Sequence, residues 1–337
     1  SDHYGSIKRI REGSVMNEFR FVILGAGNIA GRFCEAVSLT EHAVVAAVGS
    51  KSLERAAAFA EKNGVLKAYG DYEEMLRMEK PDGAYIAVTP NDHYRLSMLC
   101  LKYGVPVLCE KAMFQNSREA KEVFKVSKEK GIFVMEALWS RFLPAVCKAG
   151  EWLDEGRIGE AKLASCTIGF RADPDPERRY YSPELGGGAS KDITVYAYEI
   201  TTYLLRQKLK NLTVSAVWSG SGVDESSLVT LEFEKTLASL MTTFAADTDE
   251  RLVVYGSKGH IELPYPHYAS EAFLYGEKGE LLEHFRDEET KNGFTYEIAE
   301  MIRCIRDGLT ESPVVPHSAT LDCAELFDRI DATRPEE

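Results

Sequence analysis

What the sequence lacks narrows it first. Its seven cysteines (Cys34, Cys100, Cys109, Cys147, Cys166, Cys304 and Cys323) are odd in number and include no C-x-x-C pair. A disulfide framework and a zinc knuckle are both disfavoured, and thiols scattered among apolar neighbours suit a reducing compartment. No apolar run approaches the roughly 20 residues of a membrane-spanning helix. No long basic run occurs either: 40 Lys and Arg stand against 53 Asp and Glu, a formal charge of −13. Such a chain cannot neutralise phosphates along a duplex, which argues against nucleic acid as a partner. H-E-x-x-H and close Cys/His clusters are missing, so no metal site is expected, and without G-x-S-x-G there is no serine-hydrolase elbow. Internal repeats and low-complexity tracts are missing too. The segment from Ser1 to Val15 is polar, with Lys8, Arg9, Arg11 and Glu12, and has no export-type apolar stretch. The expectation is a cytoplasmic protein, with Met16 as its natural start.

What is present is an ordinary globular composition, 45% hydrophobic and 28% charged over 337 residues, enough for about two cores. From Phe19 to about Val134, short β-branched runs alternate with helical patterns, the mark of βαβ units. Strands are predicted at Phe19–Leu24, Val44–Val48, Gly83–Val88, Val105–Cys109 and Ile132–Met135. Helices fall between them at Ile29–Ser38, Ser52–Asn63, Tyr72–Met78, His93–Tyr103 and Ser117–Lys130. The fold expected is an α/β Rossmann domain, a doubly wound parallel sheet over 17–143. Beyond a helix at Ala145–Glu155 the pattern turns to alternation, with strands at Lys162–Phe170, Leu212–Trp218, Ser227–Phe233, Ala238–Phe244 and Arg251–Tyr255. Helices at Lys191–Arg206, Tyr296–Asp307 and from Ser318 complete an α+β domain over 144–337 with a mostly antiparallel open sheet, the last helix packing back on the first domain.

The run Phe21-Val22-Ile23-Leu24-Gly25-Ala26-Gly27-Asn28-Ile29-Ala30 places G-x-G-x-x-A between an apolar strand and a helix. Gly25 permits the tight turn and Gly27 lets backbone approach a pyrophosphate. The helix opening at Asn28 and Ile29 offers its N–H groups to the anion, and small Ala30 lets helix and strand pack closely. The second strand ends at Gly49-Ser50-Lys51-Ser52, where an NAD enzyme would carry an acid for the ribose hydroxyls. Ser50 and Lys51, with Arg55 a turn on, suit a 2′-phosphate instead, so NADP is expected, with NAD possible. The plainer alternative has Ser50 capping the helix and Lys51 solvated.

Reactive groups should follow strand ends in the cofactor crevice. Glu110-Lys111 follows an apolar strand, and Gly186-Gly187-Gly188 leads into a helix on which Asp192 and Tyr196 share a face. With the glycine loop, the Thr89-Pro90-Asn91 turn and His93, these residues resemble the glucose–fructose oxidoreductase, inositol dehydrogenase and MocA (Gfo/Idh/MocA) family of NAD(P)-dependent oxidoreductases, over nearly the whole chain. The stretch Glu136 to Pro144 is most similar to the branch of dimeric dihydrodiol dehydrogenases and NADP-dependent aldose 1-dehydrogenases.

The resemblance implies cofactor contacts from Thr89, Pro90, Asn91, His93, Glu110 and Lys111, with Lys111 beside the nicotinamide and Tyr196 as the proton donor or acceptor. From the side chains alone, a Lys111 ammonium is expected to lower the phenol pKa of Tyr196 towards working pH, with Asp192 orienting substrate or lysine. Structural readings stand beside these: a solvated Glu110-Lys111 pair, Asp192 as a first-turn acid, Tyr196 as core. Trp139, Arg141 and Phe142 either pack the domain junction or flank a polyol ring. Three departures from the family pattern carry expectations. Ala112 replaces a proline, which should leave Lys111 less rigidly aimed. The turn from Asn91 to His93 is one residue short, which weakens a cofactor role for His93. Lys191 stands where an apolar residue is usual, to tune substrate choice or face solvent. The function expected is hydride transfer between nicotinamide and a hydroxyl or carbonyl carbon of a sugar, polyol or cyclic diol, by a homodimer or higher oligomer. The alternative is a non-catalytic NADP-binding sensor.

Overall fold

The computed structural model describes residues 17–336. The expected polar extension to Val15 and the start at Met16 lie outside the described residues.

Six strands, β1 (Phe19–Leu24), β2 (Ala43–Gly49), β3 (Ala68–Tyr69), β4 (Gly83–Ile86), β5 (Val107–Glu110) and β6 (Val134–Ala137), form one sheet in the order β3-β2-β1-β4-β5-β6. Every neighbouring pair is parallel. Phe21, Val22, Ile23 and Leu24 are all fully buried, because helices cover both sheet faces and a strand buried on two sides needs continuous apolar residues. Those helices are α1 (Asn28–Ser38), α2 (Leu53–Asn63), α3 (Tyr72–Glu79), α4 (His93–Lys102) and α5 (Ser117–Lys130). Side chains of Ser52, Asp71 and Asn116 cap α2, α3 and α5, while Gly64 and Gly131, at φ 69° and 67°, close α2 and α5.

Several boundaries differ from expectation for one reason. Val105 and Ile132 donate their N–H groups back to Cys100 and Ser127, closing the preceding helices, so β5 and β6 begin pairing only at Val107 and Val134. Because β1 lies between β2 and β4, the chain winds away from it in both directions. The crevice at this reversal lies beyond the carboxyl ends of β1, β4 and β5, and it positions everything below.

In the second half, α6 (Pro144–Asp154), β7 (Ala161–Gly169) and α7 (Val195–Leu205) precede a run of strands, β8 (Leu209–Trp218), β9 (Asp224–Phe233), β10 (Leu237–Thr243), β11 (Arg251–Gly256), β12 (Gly259–Pro264), β13 (Glu271–Tyr275) and β14 (Leu281–Arg286), and then α8 (Thr295–Arg306) and α9 (His317–Asp331). The sheet order is β14-β13-β12-β11-β7-β10-β9-β8, antiparallel except where β7 runs parallel to β10. Val229, Leu231 and Phe233 of β9 point inward while Leu228, Thr230 and Glu232 are exposed, the two-residue period of a half-covered sheet. Strands β12 to β14 were not anticipated. β14 has no buried side chain, so it offers no alternating signal to read. Helix α9 returns to the first sheet: Asp328 accepts from Ser117 N at 3.2 Å, and Ala324 joins the apolar cluster of Val22 and Ile86.

Candidate active site

The glycine loop forms an open cradle. Gly25 sits at φ +117°, and a Cβ there would lie 2.4 Å from the Ala87 carbonyl oxygen. Among the described residues, nothing lies within 4 Å of a Cβ position on Gly27, the N-cap of α1, no side chain caps the helix, and no acid lies in its first turn. The first amides of α1 therefore face open space, which fits a nucleotide pyrophosphate. A cavity of about 350 Å³ beside them is lined by Gly27, Asn28, Arg55 and Lys62, among others. Ile29 lines the neighbouring cavity described next.

The residues expected to read a 2′-phosphate separate. Arg55 is exposed on that first cavity. Lys51 is exposed, with its Nζ 2.8 Å from Asp92 Oδ2. Ser50 is buried, its Oγ accepting from Ser52 N at 3.4 Å, which withdraws its hydroxyl from the surface. It is also not the helix cap: Ser52 is, because its Oγ accepts from Arg55 N at 3.3 Å.

The second cavity, about 210 Å³, brings Glu110, Lys111, Trp139, Asp192 and Tyr196 together at the ends of β5 and β6 and the head of α7. Two distant stretches meet here because the glycine run packs against the turn after β4: a Cβ on Gly186 would lie 3.0 Å from Asn91 N and from Pro90 Cβ. Gly188, at φ +113°, leaves room for Asp224, which accepts from both Ser190 N and Ser190 Oγ and so fixes the π-helical turn Ser190–Thr194 carrying Asp192.

Lys111 Nζ donates to the Asp192 carbonyl at 2.9 Å and to Asp192 Oδ1 at 3.1 Å, and it stands 4.5 Å from the centre of the Tyr196 ring. Trp139 Nε1 donates to the Tyr196 hydroxyl oxygen at 2.9 Å. An indole N–H can only donate, so the phenol oxygen accepts there, and the phenol's own proton has no acceptor among the described residues. Burial would push the Lys111 ammonium down, but Asp192, Tyr196 and Glu110 together hold it above its ordinary value. Burial likewise opposes ionisation of Asp192, yet Lys111 and Arg179 keep its carboxyl below the usual range.

Tyr196 corrects an expectation. Burial pushes its phenol up, and the Lys111 ammonium, which pulls it down, offsets only part of that. The ammonium lies over the ring face rather than at the hydroxyl, so the resting group is a protonated phenol and not a poised phenolate. Glu110 is buried and accepts a hydrogen bond from the Tyr85 hydroxyl; burial raises its pKa.

Other expected residues sort by where their side chains go. Thr89 and Pro90 line the cavity. Asn91 does not, and its Oδ1 accepts from Thr89 Oγ1 at 2.6 Å. His93 is buried, its Nδ1 and Nε2 lying 2.8 and 2.9 Å from the carbonyl oxygens of Ala112 and Val88, so it ties the loops after β4 and β5 together and has no ring nitrogen left for a cofactor. Arg141 is also buried: its guanidinium donates to the carbonyls of Glu199 and Val314, a junction fastener outside the cavity lining. Phe142 packs against the core and is likewise outside the lining. Of the three, only Trp139 faces the site. Despite Ala112, Lys111 is held by two hydrogen bonds, and Lys191 is buried in the lining rather than facing solvent, its Nζ 3.8 Å from Asp331.

Sequence reading missed Arg32, Arg179, Tyr180 and Phe294 in the lining, and His267 beside Tyr196 at 5.2 Å between ring centres. Arg32 could have been found four residues along α1 from Asn28. Arg179, Tyr180 and Phe294 lie in irregular segments and His267 in the single 3-10 turn Pro266–Tyr268, none with a periodic signal.

A doubly wound half with a glycine cradle at its strand reversal, beside an open-sheet half that completes the cavity, is the architecture of a nucleotide-dependent oxidoreductase. Residues 19–138 match the oxidoreductase-family NAD-binding Rossmann fold and residues 146–262 the GFO/IDH/MocA C-terminal domain, and the chain belongs to the Gfo/Idh/MocA oxidoreductase family. It is 32% identical over 318 residues to mouse (Mus musculus) trans-1,2-dihydrobenzene-1,2-diol dehydrogenase, covering 92% of this chain and 95% of that one. Its fold is similar to a 3-ketoreductase of Actinomadura kijaniata solved with NADP and TDP-benzene (TM-score 0.81, 23% identity, 93% and 96% of the two chains). It is also similar to a levoglucosan dehydrogenase solved with NADH and L-sorbose (TM-score 0.85, 19% identity, 94% and 97%).

Proposed function

We propose that this protein interconverts a hydroxyl and a carbonyl on a sugar, polyol or cyclic diol, with NADP preferred over NAD. A bound nicotinamide supplies or accepts the hydride at its C4. The observation that carries this reading is the Tyr196 hydroxyl, fixed by Trp139, beneath a charged Lys111, with its proton unclaimed inside the cavity. In reduction, Tyr196 donates that proton to the substrate oxygen as the hydride reaches the carbon, and Lys111 and the Trp139 N–H stabilise the phenolate left behind. In oxidation the same phenolate takes the hydroxyl proton. Asp192 holds Lys111 in place and offers a carboxylate to a neighbouring substrate hydroxyl. The diol named for the mouse relative and the sugar in the levoglucosan dehydrogenase complex support this substrate range.

The NADP preference rests on the absence of an acid after β2 and on the exposed Arg55 and Lys51. A homodimer is proposed through the outer face of the second sheet, where Leu163, Leu228 and Met241 are exposed. All seven cysteines are unpaired, which suits a cytoplasmic setting, and no helix among the described residues is long and apolar enough to cross a membrane. The catalytic reading is preferred to a non-turning sensor because Lys111 is fixed without the motif proline.

The test is NADP reduction over trans-dihydrodiols, aldoses and inositols with the parent protein, Tyr196→Phe and Lys111→Met. Turnover by the parent and its collapse in both variants is expected. Full activity in both would remove the assigned roles, and tight NADPH binding without turnover on any compound would favour the sensor.

A further inference from the structure

The cavity is charged unlike the rest of the chain. Four basic side chains line it, Arg32, Lys111, Arg179 and Lys191, against two carboxyls, Glu110 and Asp192, in a protein of net charge −13. Lys111 and Asp192 are the pair already described, and Lys191 lies near Asp331. Arg179 Nη2 lies 3.0 Å from the same Asp192 Oδ1 that Lys111 uses at 3.1 Å, so two cations share one carboxylate oxygen and a positive charge is left over. Arg32 takes part in no ion pair among the described residues.

Both arginines are built alike. The Arg32 guanidinium carbon lies 4.8 Å from the centre of the Phe294 ring and 5.8 Å from that of Trp139; that of Arg179 lies 4.6 Å from the centre of the Tyr180 ring. A guanidinium lying over a ring spends no hydrogen bond there, so the guanidinium N–H groups of Arg32 have no partner among the described residues, and of those of Arg179 only Nη2 is engaged, by Asp192. Both are exposed to solvent, and both line one space of about 210 Å³ together with Lys111 and Tyr196. A fork of fixed donors fits two oxygens of a carboxylate or phosphate, not a single neutral hydroxyl.

Resting on the reading of this cavity as the reaction site, we propose that the enzyme selects substrates carrying an anionic group, a carboxylate or a phosphate ester, which the stacked Arg32 and Arg179 hold while the reacting hydroxyl lies at Tyr196. Neutral sugars and diols then bind the same site without that anchor. The pyrophosphate of the cofactor is the competing anion for Arg32, but the open amides of α1 at Gly27 and Asn28 already provide its place.

The experiment is calorimetric titration of the NADPH-saturated protein with methyl glucoside, glucuronate, glucose 6-phosphate and inorganic phosphate, for the parent, Arg32→Met, Arg32→Lys and Arg179→Met, at low and high salt. Binding does not require turnover, so the readout is independent of activity. The anionic sugars are expected to bind roughly tenfold or more tightly than methyl glucoside, with the advantage shrinking in high salt. Arg32→Met and Arg179→Met should bring that ratio close to one, and Arg32→Lys should keep part of it. A preference for glucuronate over the phosphate ester, or the reverse, assigns the anion. Equal affinity for charged and neutral sugars, no anion binding at all, or an Arg32→Met variant that weakens only NADPH would each overturn the proposal. Failure of NADPH to bind the parent is a different result, because it removes the preceding reading of the site as well.

Discussion

Around Lys51 and Arg55 the charges are exposed, and Lys51 is held by one surface ion pair to Asp92; Lys111 and Asp192 are largely buried, Asp192 accepts from both Lys111 and the exposed Arg179, and the Lys111 ammonium lies over the ring of a neighbouring phenol. The contrast is one of dielectric. An exposed pair is worth about 0–1 kcal/mol and is screened by salt, so that region can be rewritten cheaply. A charge taken out of water must be matched at once, and removing one partner leaves the other stranded. On the proposed function, cofactor choice falls where substitution is cheap and chemistry where it is expensive.

The sharpest way to break this comparison is at Tyr196. Tyr196→Phe is expected to lower kcat by roughly 10²–10⁴-fold while NADPH affinity, followed by nucleotide fluorescence, stays within about twofold. A small loss would mean that the buried network is structural only. Next comes the pH profile. The phenol is raised by burial, so in alcohol oxidation kcat/KM should climb up to about tenfold per pH unit above neutrality, a slope that Tyr196→Phe abolishes.

Burial also has a stability cost that can be isolated. Glu297 on α8 is fully buried, neither carboxylate oxygen has a hydrogen-bond partner among the described residues, and burial together with the nearby Glu110 holds its pKa well above the ordinary range. Above about pH 4.3 the unfolded carboxyl releases its proton while the folded one keeps it, so the native state loses ground as pH rises. Glu297→Gln should therefore stabilise the protein at neutral pH by about 1–2 kcal/mol, by the scale of a buried polar group, and urea titrations from pH 6 to 9 should show the gain growing with pH. The smallest effect belongs to the exposed end. Lys51→Met and Arg55→Met should each lower the NADP-to-NAD ratio of kcat/KM by roughly threefold, less at high salt, as expected for solvated contacts worth under about 1 kcal/mol. A hundredfold fall would erase the distinction between the two ends.

Much of this was legible before any coordinates. Gly25 and Gly27, Lys111 after its strand, and Asp192 with Tyr196 at i, i+4 are local signals, and the structure brings the last three into one cavity. What the sequence could not show depends on tertiary burial. The sign of the Tyr196 shift turns on how much of the ring leaves water and on the ammonium lying over its face, neither of which spacing encodes. Arg141 is as basic as Arg32, yet one is spent on backbone carbonyls inside the junction and the other stays in the lining. Arg179 and Phe294 come from irregular segments with no periodicity to announce them.

The return of α9 to the first sheet has a consequence for biosynthesis. Ala324 and Leu321 pack against the apolar cluster that contains Val22, Leu24 and Ile86, so material from the end of the chain completes a core begun at its start. During translation the nucleotide-binding half emerges before α9, and this part of its core can be covered only once α9 has left the ribosome. Nascent chains paused before His317 should therefore present a sticky surface to chaperones, even though the whole parallel sheet has already been made.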